Sequence, residues 1–85
     1  MQNFQRQVQT ATNGIIEFHF EVVHSRSKQS LLVTAFENGR KITFFNMEKK
    51  DDNWRIIDAP KVGDRFLEME KKLEAMIKDF EREDH

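Results

Sequence analysis

Between Gly14 and His24 the chain alternates, with Ile16, Phe18, Phe20 and Val22 on one side and Glu17, His19 and Glu21 on the other. A period of two places successive side chains on opposite faces, so this segment predicts a strand with one buried face. Asn13 and Gly14 both tolerate positive φ and predict a two-residue hairpin turn. The strand they would lead back to runs through Phe4, Arg6 and Val8, and its interleaved Gln5, Gln7 and Gln9 suit a sheet edge.

Beyond the polar run Ser25-Arg26-Ser27-Lys28-Gln29-Ser30, read as a loop, Leu31 to Asn46 is split by Asn38-Gly39, the clearest hairpin signal in the chain. With these as the two turn residues, Glu37 faces Arg40, Ala35 faces Ile42, Val33 faces Phe44 and Leu31 faces Asn46. The other face pairs Phe36 with Lys41, Thr34 with Thr43 and Leu32 with Phe45. Both faces then carry large apolar groups, although a single helix covers only one. A second turn through Lys49-Lys50-Asp51-Asp52-Asn53 leads to a strand at Trp54, with a loop length that leaves the face of Trp54 open. Ala59-Pro60 ends the ladder, since proline has no N–H to donate.

From Asp64 the period becomes helical. Phe66, Met69, Leu73, Met76 and Phe80 are spaced 3, 4, 3 and 4, with Ile77 widening the stripe. Asp64 is the expected N-cap, and Glu68–Lys72 and Glu74–Lys78 are expected i, i+4 pairs. The predicted fold is α+β and two-layered: an antiparallel β-meander of four to five strands with one long C-terminal helix packed on one sheet face. The strands are expected at about residues 3–10, 14–24, 30–37, 40–48 and 53–58, and the helix at about 64–82, all in one domain spanning 1–85. The helix stripe should meet Phe18, Phe20, Val22, Val33, Ala35, Ile42 and Phe44.

Length allows one thin core, because a chain of 85 residues hides only about 60–65% of its unfolded surface. The absence of cysteine excludes disulfides and thiolate metal sites and fits a reducing, cytoplasmic location. No apolar run is long enough for a membrane helix, and the N-terminal residues lack the pattern of a signal peptide. The net charge of −1 hides an asymmetry, five Lys/Arg against three Asp/Glu in residues 1–47 and nine against twelve in 48–85. Neither balance carries the strong basic excess typical of nucleic-acid-binding domains.

Candidate chemistry is sparse. Glu17, His19 and Glu21 form a row on one strand face that suits a divalent ion or acid–base work, but no further ligand or nucleophile is spaced to join them, and a solvated strand face is the stronger reading. The His24 to Lys28 loop has hydroxyls and cations for a phosphate without the glycines that cradle one. Trp54 beside Ile56 and Ile57 reads as core. No catalytic, cofactor-binding or metal-binding residue is therefore assigned, no cofactor or small-molecule substrate is inferred, and the chain is not read as an enzyme.

The uncovered sheet face holds the functional expectation: Leu32, Phe36, Lys41, Phe45 and Met47 form a candidate interaction face for a second copy or a protein partner. The alternative is single-stranded nucleic acid stacked on its aromatic rings beside Lys41 and Arg55. A meander followed by one helix is similar to the unit shape of PUR-repeat and Whirly-type single-strand binders, and Ile16-Glu17-Phe18-His19-Phe20-Glu21-Val22 resembles the first strand of a PUR repeat. That resemblance implies nucleic acid on the sheet face.

Overall fold

In the computed structural model, which describes residues 2–11, 14–24, 28–57 and 62–83, strands and helix follow in the expected order. The strands are β1 (Phe4–Gln9), β2 (Ile15–Val23), β3 (Ser30–Glu37), β4 (Arg40–Lys50) and β5 (Asn53–Ile56), and the helices are α1 (Asp64–Leu67) and α2 (Glu70–Glu83). All five strands form one antiparallel sheet in the order β1-β2-β3-β4-β5, with β1 at an edge as its glutamines suggest. The sheet curls around α2. At the helix C-terminal end Phe80 stacks on Phe4 of β1 at 4.1 Å, while Glu81 reaches Lys49 of β4 and Trp54 of β5.

The first hairpin differs from expectation. Thr10 N–H donates to the Gly14 carbonyl at 2.8 Å, so Gly14 is a ladder partner and the connection is longer than two residues. Asn13 lies outside the described residues, as do Ser25 to Ser27 of the polar loop and the Ala59-Pro60 break.

The Asn38-Gly39 turn has φ of 54° and 78°, both in the left-handed region that a type I′ turn requires. Glu37 faces Arg40 and Phe36 faces Lys41 as predicted, but the register then shifts between Ala35 and Phe36. Ile42 is the extra residue, and from there Ala35 faces Thr43, Thr34 faces Phe44, Val33 faces Phe45 and Leu31 faces Met47. A bulge of one residue exchanges the two faces of everything beyond it. Phe45 and Met47, predicted on the open face, are therefore buried beneath the helix, while Ile42 and Phe44, predicted in the core, are 38% and 59% exposed. The physical reason lies in the residues that follow. The unbulged register would turn Asn46 and Glu48 into the core opposite Leu31, whereas the bulge puts Met47 there and carries Lys49 to Glu81 at the helix.

The β4–β5 connection is a tight turn of Asp51 and Asp52, with φ of 53° and 67°, since Lys50 already pairs with Asn53. This places Trp54 opposite Lys49 on the helix side, where it is 1% exposed and its Nε1–H donates to Glu81 at 3.1 Å. β5 is an edge strand whose outward donors are met by the helix: Trp54 N–H donates to Glu74 at 2.7 Å and Ile56 N–H to Glu70 at 2.9 Å. Charged acceptors make such bonds stronger than neutral ones, and a capped edge cannot template another chain. Glu74→Ala is expected to cost about 1.5–3 kcal/mol. Urea unfolding followed by Trp54 fluorescence measures it, and an unchanged midpoint would rule out the cap.

The helix is also less continuous than its stripe suggests. Gly63, at φ 78°, occupies the N-cap without a side-chain bond, and Asp64 is instead the first helical residue. The chain turns at Glu68 and Met69, where Met69 N–H bonds back to the Phe66 carbonyl, before α2 resumes. Glu68 thus falls outside α2, and no ion pair with Lys72 forms, while Glu74 and Lys78 pair at 3.7 Å. Phe66, Leu73 and Ile77 are buried, with Met69, Met76 and Phe80 half-buried beside them. Phe66 sits edge-on to Phe18 and tilted against Phe45, and Arg65 pairs with Glu37 at 2.8 Å to tie α1 to the end of β3.

Candidate protein interface on the open sheet face

Strand alternation brings Ile15, Glu17, His19, Glu21 and Val23 of β2 to the face away from the helix, together with Leu32, Thr34 and Phe36 of β3. The bulge adds Phe44 and Asn46 of β4 on the same side as Lys41, whose ammonium lies 5.0 Å from the centre of the Phe44 ring. Across the three central strands these residues form level rows: Glu17, Phe36 and Lys41; His19, Thr34 and Phe44; Glu21, Leu32 and Asn46. Leu32 and Phe36 are half-buried by their neighbours, whereas among the described residues Ile15, Val23, Ile42 and Phe44 are the large apolar residues left exposed. Ile15 and Val23 stand at opposite ends of β2 with Glu17, His19 and Glu21 between them, while Phe44 lies level with His19 near the centre and Ile42 is the bulge residue of the same strand.

Of the five residues singled out from sequence, Leu32, Phe36 and Lys41 lie together on this face. Phe45 and Met47 do not: they are 4% and 0% exposed and belong to the core, for the reason given by the bulge. Phe44 and Ile42 take their place. The signal that could have found them is one of parity, since a strand that keeps Ile42 and Phe44 inside must also bury Asn46 and Glu48.

At one end of the face lies a depression lined by Ile15, Glu17, His19, Phe36 and Asn38. His19 Nε2 is 2.7 Å from Glu17 Oε1, and its ring rests on Phe36 with centroids 4.5 Å apart. The hydrogen bond and the ring contact orient the imidazole across the sheet. Among the described residues no hydroxyl is hydrogen-bonded to His19, and no three histidine or carboxylate side chains converge as metal ligands. The charges of the face are mixed, with Glu17, Glu21 and Glu48 against Lys41, while Lys28 pairs with Glu48 at 3.5 Å and Arg55 reaches Glu70 of α2 at 3.5 Å. Such a surface suits a partner of mixed charge better than a polyanion. No described helix is long and apolar enough to cross a membrane.

No family model matches the chain, and no curated protein or solved structure matches it either.

Proposed function

We propose that this chain is a non-enzymatic, self-associating module of the cytoplasm that forms a homodimer by packing its open sheet face on that of a second copy. The observation that carries this reading is the self-complementarity of the rows. A two-fold axis running along β3 lays β2 of one copy over β4 of the other at the same level. Glu17 then meets Lys41, His19 meets Phe44 and Glu21 meets Asn46, while Leu32 and Phe36 each meet their own counterpart. Such an interface is isologous, so each pairing of unlike residues occurs twice and each self-pairing on the axis once.

The three central strands that carry these rows, about 4.8 Å apart with about nine residues each at about 3.3 Å, present roughly 450 Å² in projection, which side-chain relief brings to the lower end of the size range of specific interfaces. The absence of cysteine suits a reducing compartment. Single-stranded nucleic acid is the weaker occupant, because three carboxylates share the face and Phe45, one of the rings proposed for stacking, is buried.

Sedimentation at high micromolar concentration is expected to give a dimer for the wild type and a monomer for Phe44→Asp. Lys41→Glu should weaken the dimer at least about tenfold, one charge reversal across a close pair being worth more than 1.4 kcal/mol. The double change Lys41→Glu with Glu17→Lys should restore it. A monomeric wild type, or salt-sensitive binding of labelled single strands, would overturn the reading.

A further inference from the structure

The two edges of the sheet are finished differently. Glu70 and Glu74 occupy the outward donors of β5, but among the described residues no side chain is hydrogen-bonded to an N–H of Phe4–Gln9; on that strand Arg6 Nη1 reaches only the Gln5 carbonyl, at 2.9 Å. Alongside β1, between the strand and α2, runs a groove lined by Val8, Gln9, Lys72, Ala75, Met76 and Asp79. The curl of the sheet leaves this slot where a sixth strand would continue the meander.

We infer that the β1 edge binds an extended segment of a partner protein by strand addition, with an acidic side chain at Lys72 and an apolar one, two residues later, over Ala75 and Met76. Main-chain bonds to β1 hold such a segment, and its alternate side chains fill the groove. The side chains lining the groove set the pattern. Lys72 has no ion-pair partner among the described residues, whereas Arg6 is neutralised by Glu83 at 3.3 Å and Asp79 by Arg82 at 2.8 Å. Lys72 is thus the charge an incoming group can answer. Lys72 and Met76 are one helical turn apart, about 6 Å, and alternate side chains of a strand are separated by about 6.7 Å, so one strand serves both. Direction follows as well. β1 runs from Arg6, paired with Glu83 at the C-terminal end of α2, toward Gln9, and Lys72 lines the same groove eleven residues before Glu83, so an antiparallel segment meets Lys72 first and reads acidic-x-apolar. The inference is independent of the dimer, which uses the face rather than the edge.

The test is fluorescence anisotropy with a labelled nonapeptide, Thr-Thr-Glu-Thr-Ile-Thr-Lys-Thr-Thr, titrated with the full chain. Saturable binding is expected, weakened at least tenfold by Lys72→Glu and by N-methylation of alternate peptide amides. A peptide with lysine in place of the glutamate should bind Lys72→Glu better than it binds the wild type. The Phe44→Asp monomer should bind the first peptide as the wild type does, which separates this result from the fate of the dimer. Three outcomes would overturn the proposal: no saturation by roughly 1 mM, binding indifferent to N-methylation, or binding indifferent to Lys72. A fourth would as well: rapid disulfide formation between Gln7→Cys copies, in a chain with no other cysteine, with no peptide bound, would mean that a second β1 occupies the edge.

Discussion

Phe45→Ala is expected to remove a large share of the stability of this protein, and Phe44→Ala almost none of it, although the two residues are adjacent. Phe45 is 4% exposed and packs on Phe66, whereas Phe44 is 59% exposed on the far face. Truncating a buried phenylalanine costs about 3–5 kcal/mol, through lost transfer free energy and the cavity left behind. A domain of this size has a total stability of only about 4–13 kcal/mol. The exposed neighbour should stay within about 0.5 kcal/mol when compared at low micromolar concentration, where dissociation of a dimer does not enter. Urea unfolding followed by far-UV circular dichroism reads both. A regular hairpin without the bulge requires the opposite order, so the pair of variants decides the register.

Trp54→Ala should be comparably destructive, for a different combination of reasons. The indole is 1% exposed, and its removal takes away the largest side chain of the core at the point where β5 meets α2. It also removes the donor to Glu81. A loss of about 3–5 kcal/mol is expected from the cavity alone. Trp54→Phe separates the terms: much of the volume is kept, Glu81 keeps Lys49 at 3.0 Å, and the residual loss of about 1–3 kcal/mol reports the missing hydrogen bond and the smaller ring. Far-UV circular dichroism serves as the probe, since Trp54 is the only tryptophan. Near wild-type stability of the alanine variant would mean that β5 is not held against the helix by this residue.

Part of this fold is legible in the chain. Phe18 and Phe20 lie inside as their alternation requires, Asn38-Gly39 makes the expected tight turn, and Leu73 and Ile77 face the core as their spacing requires. Each of these signals is local. The bulge at Ile42 is not, because its cause is the competition between Asn46 and Met47 for the place opposite Leu31, five residues away along β4. The capping of β5 is likewise unreadable in advance: Glu70 and Glu74 look like any solvated helix face until the helix is laid beside Trp54 and Ile56. Three of the five residues expected on the open face lie there, and the two that moved did so together, on one strand and for one reason.

The elements are legible in the chain: hydrophobic period distinguishes strand from helix, and Asn-Gly chemistry sets a turn, because these depend on neighbours within a few residues. Which side of β4 is inside, where Trp54 goes, which sheet edge is closed and which groups share the open face emerge once sheet and helix are packed together. Those outcomes depend on which distant side chains compete for one buried position, and a single-residue shift in that competition reverses a whole strand.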